Sequence, residues 1–161
     1  MSALAAVADD ALSSLCVECG LCCDGSLFRF LPVEAESLAA CAALGLPVVR
    51  QSGRDAMPLP CLKLQGRCCT VYEGRPAGCR AFGCHVLHRL AIGALSAHEA
   101  QDVVREAQRR IARLRELWPG HEPIVQCATT EALAGQLPDE ALRALERVQS
   151  WLDARMHWPL S

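Results

Sequence analysis

The stretch Cys16-Val17-Glu18-Cys19-Gly20-Leu21-Cys22-Cys23 places four thiols within eight residues, around a glycine. The chain carries 11 cysteines in 161 residues, and a second group falls between Cys61 and Cys84. A packed core has no need of thiols at that density, whereas a site for metal ions or a metal–sulfur cluster does. In a Cys-x-x-Cys turn the two intervening residues let the chain fold back, so that both sulfurs face one ion and backbone amides point at them. Cys16 and Cys19 form one such pair, and Cys19 and Cys22 another. Adjacent residues rarely turn both side chains onto one ion. One of Cys22 and Cys23 is therefore expected to face a second metal or the other half of a cluster. If the segment were helical, Cys16, Cys19 and Cys23 would share a face and Cys22 would lie to one side.

Composition bounds the rest. A length of 161 residues fits one domain, 1–161, with a cysteine-cluster region at 14–90 and a helical region at 96–158. Hydrophobic residues make up 52% and charged residues 21%, which is a globular balance. Aromatics are only 4%, so the core falls to Leu, Ala, Val and Cys. A net charge of −2 gives no electrostatic case for nucleic acid. The apolar runs are too short to span a membrane. The start Met1-Ser-Ala-Leu-Ala-Ala-Val-Ala-Asp-Asp lacks the basic, apolar pattern of a signal peptide. The expectation is a cytoplasmic protein, where thiols stay reduced and clustered cysteines serve as metal ligands rather than disulfides.

Read in order, the chain predicts a mainly α fold in which a small, irregular, cysteine-rich half packs against C-terminal helices. A short helix over 2–15 leads into the first thiols. Residues 27–31 read as a short strand or extended lead-in, and Pro32 to Leu44 as a helix closed by Gly45. Pro47, Gly53, Pro58 and Pro60 make 47–60 a loop. Residues 61–72 read as a small hairpin around Gln65-Gly66 with thiols at its ends. A tight loop over 73–79 and a short helix from Ala81 to Ile92 follow. The clearest helix is 97–118, with Ser96 and Glu99 as a capping box and apolar residues from Ala100 to Trp118 on one face. A short helix follows Thr130 and ends near Gly135, and a last one runs from Pro138 to about Met156.

Three thiols at Cys-x-x-Cys-x-x-Cys match part of the bacterial ferredoxin run for iron–sulfur clusters, which a remote cysteine completes. Zinc takes the same thiolates in tetrahedral sites, so the ligand type leaves zinc and iron both open. Taken together, Cys16-x-x-Cys19-Gly-x-Cys22-Cys23, Cys61, Cys69-Thr-Val-Tyr72 and Arg75-Pro-x-x-Cys79-Arg-x-Phe82 resemble the YkgJ-type cysteine-cluster family over about residues 14–85. The resemblance implies chelation of zinc or iron, and it places ligands at Cys16, Cys19, Cys22, Cys23, Cys61, Cys69 and Cys79. Cys84 resembles a further thiol that many members carry after the Arg-Pro block. Cys68 is an extra thiol beside Cys69, which leaves open which of the two binds.

Two functions follow as expectations. One is a metal-binding protein that holds zinc, iron or an iron–sulfur cluster through these eight thiolates, in one multinuclear cluster or two adjacent four-thiolate sites. The other is an iron–sulfur or iron-dependent enzyme that modifies another protein, for example by methyl transfer. A similar cysteine pattern occurs in flagellin lysine methylases, but no glycine-rich cofactor fingerprint is present here. Cys41 and Cys127 read as core residues. His85 and His88 read as ordinary surface or capping histidines, because the thiols already suffice. Arg75 and Arg80 read as countercharge to a thiolate-rich site or as an anion dock. No Ser-His-Asp set, phosphate loop or pair of catalytic carboxylates is found, and the sequence names no protein partner.

Overall fold

The computed structural model describes residues 12–117, 135 and 138–157. Residues 2–11 of the expected first helix, the helix after Thr130 up to Gly135, and Cys127 lie outside the described residues.

Helix α1 spans residues 12–19 and stops at Gly20, whose φ of 67° only glycine adopts readily. The chain then turns tightly, with the amides of Cys23 and Asp24 donating to the Gly20 carbonyl at 2.9 and 3.0 Å. The first thiol stretch is thus half helix and half turn, and no single helical face runs through it.

Strand β1, Phe30–Pro32, begins where an extended lead-in is expected. The helix expected from Pro32 starts later, as a 3-10 turn Ala35–Ser37 running into α2, Leu38–Ala43. The cause is strand pairing: Pro32 stands opposite Ala56, and the Val33 amide donates to the Asp55 carbonyl at 2.9 Å. The expected loop at 47–60 is a hairpin instead. Strands β2, Val49–Gln51, and β3, Arg54–Pro58, pair antiparallel, with Gln51 opposite Arg54. Ser52 and Gly53 form the two-residue turn with φ of 49° and 79°, the positive pair that matches strand twist. The sheet order is β1-β3-β2. Pro58 sits at the end of its strand, where the missing amide does least harm.

The hairpin expected at 61–72 is present as β4, Leu64–Gln65, and β5, Cys68–Cys69, around Gly66 at φ 60°. The helix expected from Ala81 to Ile92 is split. Helix α3 covers Ala77–Ala81 and α4 covers His85–Ala91, with an extended break at Phe82. The sequence Phe82-Gly83-Cys84 allows this break, and Cys84 becomes the N-cap of α4. Helix α5, Ala97–Leu117, starts on the expected capping box: the Ser96 amide and hydroxyl donate to Glu99, each at 2.7 Å, and the Glu99 amide donates back to the Ser96 hydroxyl at 3.2 Å. Helix α6 covers Asp139–Arg155.

Among the described residues the fold is mainly helical with this small sheet, and no helix is long and apolar enough to cross a membrane. Two apolar clusters organise it. The larger joins Leu15, Leu21, Leu27 and Val86 to the inner faces of α5 and α6, through Val104, Ile111, Leu114, Leu145 and Leu152. The smaller packs α2 on the sheet through Val33, Cys41, Leu46, Met57 and Leu59. Each fully buried Leu or Ile contributes about 1.5–3 kcal/mol, so these clusters hold the cysteine segments in place.

Candidate metal centre

Several separate segments deliver thiols to one place. Helix α1 carries Cys16 and Cys19 in its last turn, and the turn after Gly20 carries Cys22 and Cys23. The Cys61 amide donates to the Cys23 carbonyl at 2.8 Å, which fastens the second cysteine block to the first. Strand β5 carries Cys68 and Cys69 on opposite faces, as the two-residue period requires. Helix α3 carries Cys79, and the start of α4 carries Cys84.

The segments are fixed by contacts outside the thiols. A Cβ on Gly20 would lie 2.9 Å from the Arg67 carbonyl oxygen, so only glycine lets the β4–β5 turn sit so close to the end of α1. Gln108 on α5 ties the same place together. It donates to the carbonyls of Glu18 and Cys19, both at 3.1 Å, and accepts from Arg67 at 2.8 Å. The Asp24 carboxylate accepts from the Ser26 amide at 2.8 Å and faces Arg115 of α5 at 3.5 Å. At α4, the His85 amide donates to the Met156 carbonyl at 3.0 Å, and Phe28 packs edge-on against Phe82 with ring centroids 4.8 Å apart. The sequence reading missed Gln108 and Arg67 as positioning residues. Gln108 looks like any polar helix residue, and nothing local marks its partners 90 residues away.

The result is one cavity of about 250 Å³ lined by Cys16, Cys19, Cys22, Cys23, Cys61, Cys69, Cys79 and Cys84. All eight sequence-selected thiols face it. Cys41 does not line it and is 0% exposed in the smaller apolar cluster. Cys68 is exposed on the outer face of β5 and opens onto a different groove beside Arg67 and Gln108. His85 and His88 also lie off the cavity. Among the described residues, no group of three or more His, Cys, Asp or Glu side chains is arranged to hold a metal ion as it stands. The thiols surround a common space rather than converge on a point.

Within that space the thiols fall into two neighbourhoods. Cys19, Cys22 and Cys84 pack against the larger apolar cluster, and Cys61 and Cys79 against the smaller. Electrostatic coupling follows the same division. Burial pushes the Cys19 thiol up to about 12, with Cys84 and Cys16 adding to the rise. Cys22 is raised by burial and then by Cys19 and Cys84. Burial likewise pushes Cys23 up to about 12, but its neighbours are Cys61, Cys79 and Cys69. Cys79 is raised to about 11 by burial, Cys61, Cys41 and Cys69. Cys22 and Cys23 therefore face different groups, as adjacent side chains must, although Cys22 still feels Cys23.

Opposing features favour thiolates. The Cys84 sulfur accepts from the Leu87 amide at 3.4 Å at the first turn of α4, which works against the rise that burial causes. The Cys61 sulfur accepts from the Lys63 amide at 3.4 Å. Arg75 lines the cavity, and its charge lowers both Cys16 and Cys79, one thiol from each neighbourhood. Its guanidinium carbon lies 3.5 Å from the Tyr72 ring centroid, and its Nε donates to the Tyr72 carbonyl at 2.8 Å. Tyr72 thus sets the position of the countercharge. Arg80 lines the cavity too but is exposed.

The donor set fits a thiophilic ion. Eight sulfurs, apolar walls and arginine countercharge suit zinc or iron and offer little to a hard cation that takes oxygen ligands. No curated protein and no solved structure matches the chain. A family model does, over residues 15–108, from the end of α1 through the first half of α5. That span holds all eight cavity thiols, and by it the chain belongs to the CxxCxxCC family, described as a putative zinc- or iron-chelating domain.

Proposed function

We propose that the protein binds zinc or iron through two adjacent sets of thiolates: Cys16, Cys19, Cys22 and Cys84 in one, and Cys23, Cys61, Cys69 and Cys79 in the other. One observation carries this reading. The eight thiols picked out by spacing and family resemblance line a single cavity, while the neighbouring Cys41 and Cys68 are turned away from it. Loading requires the thiols to give up protons and draw together around the ion. A divalent ion with four thiolates carries a formal charge of about −2, and Arg75, placed between the two sets, offsets part of it. The ion supplies cross-links between segments far apart in sequence, so its binding energy becomes folding energy. The reading needs reduced thiols, as a cytosolic setting provides.

Anaerobic purification followed by metal and sulfide analysis tests it. Two zinc ions per chain, in a colourless protein, is the result expected of two closed four-thiolate sites. Iron with acid-labile sulfide identifies a cluster as the occupant of the same thiols. A protein that is metal-free as isolated, and takes up neither zinc nor iron when reduced, would overturn the proposal.

A further inference from the structure

Behind the Cys79 wall of the thiol cavity lies a second space of about 10 Å³. This is close to the least that holds one water, roughly 10–15 Å³. Ser37, Cys41, Gly78 and Cys79 line it, and Cys79 lines the large cavity as well. Cys79 is thus part of the partition between the two, with Leu31, Met57 and Pro76, and among the described residues it is the one cysteine that lines both.

Ser37 is unusual for its position. It is the N-cap of α2, where a serine hydroxyl ordinarily accepts from the amides of the first turn. Here it makes no such bond. The 3-10 turn runs straight into the helix, so Ser37 has φ −91° and ψ −10° rather than the extended backbone of a capping residue. Ser37 is 3% exposed, and its Oγ has no hydrogen-bond partner. A buried hydroxyl left unpaired is destabilising, because it loses its bonds to water without replacement. Cys41, four residues on, shares its helical face and is 0% exposed. Opposite them, Gly78 lets α3 press on β1: a Cβ there would lie 3.1 Å from the Pro32 carbonyl oxygen. This close approach brings Cys79 to the small space.

A protonated thiol is a poor acceptor, while a thiolate is a good one. We propose that Ser37 forms a hydrogen-bonding back wall for Cys79, its hydroxyl donating to the Cys79 sulfur, directly or through one water, once that sulfur is a metal-bound thiolate. This rests on the assignment of Cys79 as a ligand. Ser37 is then a positioning residue, and its missing partner appears on loading. Outer-shell donors of this kind change metal affinity by about 10–100-fold.

The test uses cobalt(II) as probe, loaded anaerobically into the whole chain and into Ser37→Ala and Cys79→Ser. Ser37→Ala is expected to bind as many cobalt ions as the wild type but to lose one about 10-fold more readily to a competing chelator. Its sulfur-to-metal charge-transfer band should move to longer wavelength, because a thiolate without a donor gives up electron density more easily. The metal-free variant should be as stable as the wild type or more so, since only an unpaired hydroxyl is lost. Unchanged cobalt retention and an unchanged band in Ser37→Ala would overturn the back wall. Cys79→Ser separates the two ideas. Full cobalt binding there would remove Cys79 from the ligands, and the back wall with it. Reduced binding there, with Ser37→Ala indistinguishable from wild type, would remove the back wall alone.

Discussion

Single residues decide which sulfurs meet. Cys68 and Cys69 are chemically identical neighbours, and strand alternation alone separates them: Cys69 lines the cavity and Cys68 is exposed. Cys69→Ser is expected to lower the metal content by about one ion. Cys68→Ser should leave it unchanged and shift stability by no more than about 0.5 kcal/mol, as for other exposed positions. Metal analysis of the two purified variants checks this, and equal losses would mean the strand faces are misassigned. Gly20 matters as much as any thiol. It combines φ 67° with a Cβ clash of 2.9 Å against the Arg67 carbonyl. Gly20→Ala should cost about 1–3 kcal/mol, in the range of other strained backbone positions, as read from urea unfolding. It should also loosen metal binding, because it pushes the β5 thiol away from α1.

At the scale of elements, what the sequence disclosed depended on whether the signal was local. Helix α5 was readable because period, cap and end charges agree within it, and α6 because its apolar residues keep helical spacing; the observed Ala97–Leu117 and Asp139–Arg155 differ from expectation by a residue at most ends. The β2–β3 hairpin was hidden because Pro47, Gly53, Pro58 and Pro60 act as breakers by composition. The Ser52-Gly53 pair, flanked by Val49 and Met57, was the overlooked turn signal. The delayed start of α2 could not be read locally, since it is set by β1 pairing with a strand more than 20 residues on. The eight cavity-lining thiols were picked out by spacing and resemblance, but the packing of Cys19, Cys22 and Cys84 on one apolar cluster and of Cys61 and Cys79 on the other is a tertiary fact. The capping box of α5 permits a quantitative check. Ser96→Ala should cost about 1 kcal/mol. Hydrogen bonds from the Ser96 hydroxyl and amide hold the Glu99 carboxyl below its usual 4.5. A lowered value in the folded state stabilises above the unfolded value and is lost as pH falls through the folded one. Glu99→Gln should therefore be less stable than wild type near pH 7 and converge with it as pH falls through the lowered carboxyl value. Glu99 is exposed, so the gap should also shrink in high salt. A gap that persists unchanged at pH 3 would show that the carboxylate charge is not what caps the helix.

For the whole molecule, the thiol cavity lies against both apolar clusters, so its protonation and loading state should govern global stability. Without metal, burial holds Cys19 and Cys23 up at about 12, against an ordinary thiol value of 9.0. The folded chain then keeps protons that the unfolded chain releases. Between about pH 9 and about pH 12 the unfolded state binds fewer protons, so the stability of the metal-free protein should fall as pH rises through that window. Below pH 9 this contribution is fully present and flat. Metal reverses the trend at lower pH, because ions compete with protons for the same sulfurs and bind better as pH rises. At free metal 100-fold above the dissociation constant, each site should add about 2.7 kcal/mol. Urea unfolding from pH 6 to 11, with and without a strong chelator, measures both limbs. The expected outcome is a chelated protein that is less stable at pH 7.5 and loses further stability above pH 9. The loaded protein should be destabilised instead by acid, as protons displace the ion. If chelation left the midpoint unchanged across this range, the thiol cavity would not be the element that joins the two clusters, and the packing of α5 and α6 would have to account for the stability of the cysteine segments by itself.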